Sequence, residues 1–224
     1  MQLILIPGLW LDAGSWHGVV PTIDDAGFDA VALTLPSSPE THLADWVAAV
    51  VARIDHAGEP VVLVGHSGGG NVAWGAADAR PEAVSRVVFV DTVPAPDGAS
   101  IATFPVVDGV IPFPGWDAFD APDVADLDGP TRTRVAAAAV PVPASVPTDP
   151  LHLHDRRRHG IPVTVLSGGA DADELDAQLA QWPSFRDEWQ AIVDREVVPI
   201  GSGHWPQFSQ PQRLGELIVR AVER

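Results

Sequence analysis

The sequence contains no cysteine, no tyrosine and no lysine; all thirteen of its basic residues are arginine. These absences exclude thiol nucleophiles, disulfides, tyrosine acid/base chemistry, Schiff-base formation and the lysine of phosphate-binding loops. Covalent catalysis is left to Ser, Thr, His or a carboxylate. Long apolar runs are also missing: none reaches the roughly 18 residues that read as a membrane span. The apolar opening MQLILIPGLW carries no basic leader and reads as a strand. Positive charge is scarce, and thirteen arginines against thirty acids give a formal charge of −17. Neither nucleic acid nor an anionic membrane is an expected partner of such a chain. The lack of cysteine fits a reducing compartment, so the expected location is cytoplasmic.

The 224 residues suffice for one large α/β domain. Short, apolar, β-branched-rich segments predict strands at 2–6, 29–34, 61–65, 86–91, 161–167 and 195–200. Helical patterns cover 15–26, 40–57, 68–79, 172–192 and 207–223. This alternation predicts an α/β fold with a mostly parallel sheet of about six strands, flanked by helices. Residues 92–160 break the rhythm with proline-dense stretches (DTVPAPDG, IPFPGW, VPVPASVP) and short helical patterns near 116–120 and 129–139. A long insertion after a strand's C-terminal end lies over the region where α/β sheets place ligands. The expected organisation is therefore a single domain over 1–224, with a core of 1–91 and 161–224 and a small cap over about 92–160.

The segment VVLVGHSGGGNVAW, residues 61–74, runs a buried strand straight into a serine fenced by glycines and then into a helix. Such a turn strains the backbone of Ser67 and lifts its hydroxyl clear of the sheet, while Gly65 and Gly69 remove side chains that would collide. Ser67 is the expected nucleophile. Of eight histidines, His204 follows the last strand in a glycine-rich loop (VVPIGSGHWPQFSQP) and is the expected base; His66, inside the elbow, is read as a packing or hydrogen-bonding residue. The acid that orients the base should follow a neighbouring strand. Asp171, in IPVTVLSGGADADELD, is the first choice, with Asp173 and Asp91, which ends VVFVD, as alternatives. The oxyanion donors are expected to be the N–H groups of Gly68 and of Leu9, in the loop PGLWLDAGSW. Trp10, Trp116 and Trp205 lie in loops expected to line the substrate pocket, whereas Trp46, Trp74, Trp182 and Trp189 lie in helical patterns and are read as packing residues.

With these residues in view the chain resembles the α/β-hydrolase superfamily. It is most similar to the compact branch of plant methylesterases, salicylate-binding proteins, hydroxynitrile lyases and small bacterial relatives. LILIPGLWLDAGSW resembles that branch's first strand and oxyanion loop, VGHSGGGNVAW its elbow, VVFVDTVPAPDG its cap entry, and IPVTVLSGGAD and GSGHWPQFSQP its acid and histidine loops. The resemblance implies a cofactor-free serine hydrolase, with no metal, acting on a small, largely apolar ester. The alternatives on the same scaffold are a ligand-binding or sensing protein with little turnover and a lyase or oxygenation catalyst. Two positions depart from the family: Pro7-Gly8 replaces its usual His-Gly, and Trp205 occupies the place of the lysine on which the hydroxynitrile lyases rely.

Overall fold

A computed structural model describes all residues from 1 to 224. In chain order its strands are β1 (Gln2–Ile6), β2 (Asp29–Ala32), β3 (Val61–His66), β4 (Val84–Val90), β5 (Val110–Ile111), β6 (Val142–Pro143), β7 (Val163–Ser167) and β8 (Arg195–Pro199). Six of them form one all-parallel sheet in the order β2-β1-β3-β4-β7-β8, and β5 and β6 pair antiparallel within the insertion. The expected α/β-hydrolase architecture is observed. The helices are α1 (Val20–Asp25), α2 (Leu43–Ala57), α3 (Gly68–Ala79), α4 (Ala121–Val124), α5 (Gly129–Ala138), α6 (Ala172–Leu179), α7 (Pro183–Ala191), α8 (Pro206–Ser209) and α9 (Pro211–Val222). None is long and apolar enough to cross a membrane.

The inner strands β1, β3, β4 and β7 are mostly apolar and buried because both faces of the sheet are covered there, whereas the edge strands β2 and β8 are only partly buried. Alternate residues diverge: Ile4, Ile6, Leu63, Phe89 and Val165 pack on one side with Trp46 of α2, Trp74 of α3 and Trp189 of α7. Leu3, Leu5, Val64, Val90 and Leu166 pack on the other side with Trp16, Ile23 of α1, and Leu214 and Ile218 of α9. Two helices expected to be continuous are broken by proline. Pro183 opens α7 after Trp182 leaves the helical region, and Pro211 opens α9 after Gln210 does the same. Trp182 is consequently 56% exposed rather than packed.

The chain runs outward from β1 to β2 on one side and from β3 to β8 on the other. Strand order therefore reverses between β1 and β3, and the crevice at their C-terminal ends is the place such sheets bind ligands. Register brings the loops together there. His66 stands opposite Val90, and Val90 opposite Leu166, so Ser67 and Asp91 leave adjacent strands at the same level. The Ser67 N–H donates to Val90 O at 3.1 Å and the Asp91 N–H to Leu166 O at 2.8 Å.

Candidate active site

Ser67 has φ 51° and ψ −126°, a conformation that favours glycine and is held here by the turn around it. The flanking glycines are sterically required. A Cβ on Gly65 would lie 2.6 Å from Gly69 O, and one on Gly69 would lie 2.5 Å from Pro7 O. The strand, the helix and the loop after β1 can close on one another only without those side chains.

The Ser67 hydroxyl lies 2.9 Å from His204 Nε2, and His204 Nδ1 lies 2.6 Å from Asp91 Oδ2. An ionised carboxylate only accepts, so Nδ1 carries the ring proton and Nε2 is left to accept from the serine. Asp91 Oδ1 accepts the Gly168 N–H at 2.7 Å. Burial acts to push the Asp91 carboxyl up, but the bonds from His204 and Gly168 outweigh it and hold the group below the ordinary carboxylate range.

The carboxylate that meets His204 is thus Asp91 and not Asp171, the first choice from the sequence. Asp171 is exposed and caps α6: its Oδ1 accepts the Glu174 N–H at 3.0 Å, while its own N–H donates to Glu174 Oε2 at 3.0 Å. Asp173 is exposed in the first turn of the same helix. The loop after β7 packs against the Asp91 carboxylate instead of supplying one of its own, since a Cβ on Gly168 would stand 2.9 Å from Asp91 Oδ1. The signal available in the sequence was the position of Asp91 at the end of the strand next to the elbow.

The backbone of the histidine is held from three directions. Its N–H donates to Asp123 O at 2.8 Å, the preceding Gly203 N–H donates to Asp126 Oδ2 at 2.9 Å, and both acceptors belong to the insertion. From the sheet side, His66 Nε2 lies 2.7 Å from His204 O. A carbonyl only accepts, so His66 carries its proton on Nε2, and its Nδ1 accepts from Gln207 Nε2 at 3.1 Å. Burial, reinforced by the neighbouring His204, lowers the His66 pKa to about 3, so the ring is neutral. This tie between the two loops was legible in the sequence only as an unspecified hydrogen bond.

Of the expected oxyanion donors, the Leu9 N–H bonds to no carbonyl in the loops around it, and the Gly68 N–H is the first of α3, where a helix offers no acceptor of its own. Their loops are close, since a Cβ on Gly8 would lie 3.1 Å from Ser67 Cβ and one on Gly68 would lie 3.3 Å from Leu9 Cδ2. A cavity of about 160 Å³ opens onto Ser67 and His204, walled by Leu9, Trp10, Ile101, Phe104, Phe119 and Trp205. The insertion therefore roofs the site. Trp10 and Trp205 line this cavity as expected, but Trp116 does not: it stands behind Trp205, the two rings edge-on at 5.1 Å, and its Nε1–H donates to Arg132 O. Ile101, Phe104 and Phe119 carry no motif and were missed, because only the folding of the insertion brings them over the serine.

A stretch of 71 residues is 42% identical to Lipase LipV of Mycobacterium tuberculosis, covering 31% of this chain and 26% of that protein. Among solved structures, an extracellular alpha/beta-hydrolase from a Paenibacillus species superposes with a TM-score of 0.79 at 20% identity, covering 99% of this chain and 98% of that one. That protein is described as sharing structural and functional homology with tobacco Salicylic Acid Binding Protein 2. The Arabidopsis methylesterase MES16 superposes with a TM-score of 0.71 at 16% identity, covering 100% and 99% of the two chains. At such identities the superpositions establish the fold. The sequence model of the alpha/beta hydrolase family matches residues 3–217, nearly the whole chain, and the protein therefore belongs to that family of hydrolases.

Proposed function

We propose that the protein is a serine esterase that cleaves small, largely apolar carboxylic esters through an acyl-enzyme on Ser67. The observation that carries this reading is the unbroken hydrogen-bond chain from Ser67 Oγ through His204 to Asp91, opening onto an apolar cavity. Ser67 Oγ attacks the ester carbonyl as His204 Nε2 takes its proton, and Asp91 stabilises the imidazolium that forms. The carbonyl oxygen, now negative, is received by the N–H groups of Leu9 and Gly68. Collapse breaks the bond to the alkoxy group, which leaves as the alcohol with the proton from His204. Water then attacks the acyl-enzyme in the same geometry, giving the acid and free Ser67. Apart from the triad, the side chains around the cavity are apolar except for His66, which is neutral, so they favour uncharged groups on both sides of the ester.

Incubation with a fluorophosphonate and with p-nitrophenyl butyrate tests the reading. Mass addition confined to Ser67, steady turnover by the native chain, and loss of both in Ser67→Ala are the expected results. Labelling that survives in Ser67→Ala would move the nucleophile elsewhere.

A further inference from the structure

Trp10 is the one residue that lines both the catalytic cavity and a second, larger cleft of about 320 Å³. The second cleft has apolar walls from Leu11, Val135, Ala138 and Phe208, with Asp12 and Arg134 among its polar members. We infer that Trp10 is the size-limiting partition of the site, and that the cleft beyond it is a subsite for longer alkyl chains from which the indole excludes them. The inference rests on the esterase reading and adds to it the residue that sets substrate length.

Three observations support a partition. The indole is 5% exposed and meets Phe104 and Phe119, both in the catalytic wall, edge-on with ring centroids 4.8 and 5.9 Å away. Both ends of the residue are tied to the insertion, with Nε1–H donating to Ile111 O at 3.2 Å and the main-chain oxygen accepting the Val140 N–H at 2.9 Å. Its φ of 62° lies in the left-handed region, so these contacts hold a bulky side chain where the backbone itself favours glycine. Volume then decides the consequence. A cavity of about 150 Å³ admits a molecule the size of benzene, so the catalytic cavity alone takes one small group. Joined to the neighbouring cleft, it enters the range of roughly 300–1,000 Å³ typical of larger ligands.

The test uses Trp10→Gly, which suits the left-handed backbone, with Trp10→Asn as the second variant should the first not fold, since Asn also tolerates that region. Hydrolysis of p-nitrophenyl butyrate and octanoate is measured in the native chain, in the variant, and in the variant carrying Ala138→Trp to refill the cleft. Each methylene transferred from water is worth about fourfold in affinity. The octanoate-to-butyrate ratio of kcat/KM is expected to rise at least ~tenfold on opening the partition and to fall back on refilling. Independently of turnover, calorimetry should show 1-octanol binding at least ~tenfold tighter to Ser67→Ala/Trp10→Gly than to Ser67→Ala. An unchanged ratio together with unchanged octanol affinity overturns the partition, as does a gain that survives Ala138→Trp. Octanol discrimination in a chain that neither turns over esters nor labels at Ser67 supports the partition and overturns the esterase reading instead.

Discussion

Replacing Asp91 by Asn separates the roles of the two carboxylates most sharply. Both oxygens of Asp91 are committed, Oδ1 to the Gly168 N–H at 2.7 Å and Oδ2 to the His204 Nδ1–H at 2.6 Å. An amide offers one acceptor. If its oxygen stays on Gly168, its NH₂ faces Nδ1, which can then only accept, and the imidazole proton moves to Nε2. That nitrogen faces Ser67 and has no lone pair left to take the serine's proton. Turning the amide over would set its NH₂ against the Gly168 N–H and leave buried donors unpaired, a cost of about 1–3 kcal/mol, so the unproductive tautomer prevails. The expected loss is about 10⁴-fold in kcat, or ~5 kcal/mol of transition-state stabilisation, with KM nearly unchanged. The assay is steady-state hydrolysis of p-nitrophenyl butyrate alongside the rate of fluorophosphonate labelling. Asp171→Ala is the control. It removes a helix cap, costs about 1 kcal/mol in denaturant unfolding, and should leave kcat/KM within about twofold. An Asp91→Asn enzyme within about tenfold of native, or an Asp171→Ala enzyme as impaired as Asp91→Asn, would refute the reasoning.

His66 supplies a pH-dependent stability term. Its pKa is about 3 in the folded chain, where burial keeps it neutral, against about 6.5 in the unfolded chain, so the unfolded chain takes up the proton first as pH falls. Its contribution is fully present above about pH 6.5 and is lost progressively toward pH 3, up to roughly 5 kcal/mol in all. In His66→Gln the fall in unfolding free energy between pH 7 and pH 4.5 should be about 2–3 kcal/mol smaller than in the native chain; an equal fall would contradict the assignment. Away from the site, buried Glu188 accepts from Trp74 Nε1 at 2.9 Å and from Arg158 Nε and Nη2 at 2.8 and 3.0 Å. Glu188→Ala leaves the Trp74 Nε1–H and two of the Arg158 N–H groups without that acceptor while Arg158 keeps its bond to Asp78 Oδ1 at 3.0 Å, and urea unfolding should show a loss of about 3 kcal/mol with native kcat/KM below the transition.

The sheet was legible because its inner strands are buried on both faces and read as mostly apolar runs, and the elbow because glycines at 65 and 69 are a steric necessity of the turn. His204 was legible for a similar local reason, standing in a glycine-rich loop after the last strand. The pocket wall was not. Phe104, Phe119 and Ile101 lie in a proline-rich insertion whose path depends on tertiary contacts, such as the docking of Val124 and Leu127 against Trp205, and no local pattern encodes those. Asp171 misled because an aspartate followed three residues later by Glu174 satisfies a helix N-terminus as well as it satisfies an acid loop.

What distinguishes the two aspartates is register, a property of strand pairs that neither segment carries alone. Because His66 stands opposite Val90, Ser67 and Asp91 begin their loops on adjacent strands, and their separation is governed by a strand spacing of about 4.8 Å rather than by loop conformation. An acid at position 171 would sit four residues beyond its strand, with a loop between it and the sheet. In the arrangement observed, only the histidine depends on a loop. That loop is pinned by Asp123 O, the Asp126 carboxylate and the His66 ring, two of them from the insertion that also roofs the cavity. On the esterase reading the insertion therefore aligns the His204 base as well as forming the pocket wall, and changes to it should alter kcat along with the choice of substrate.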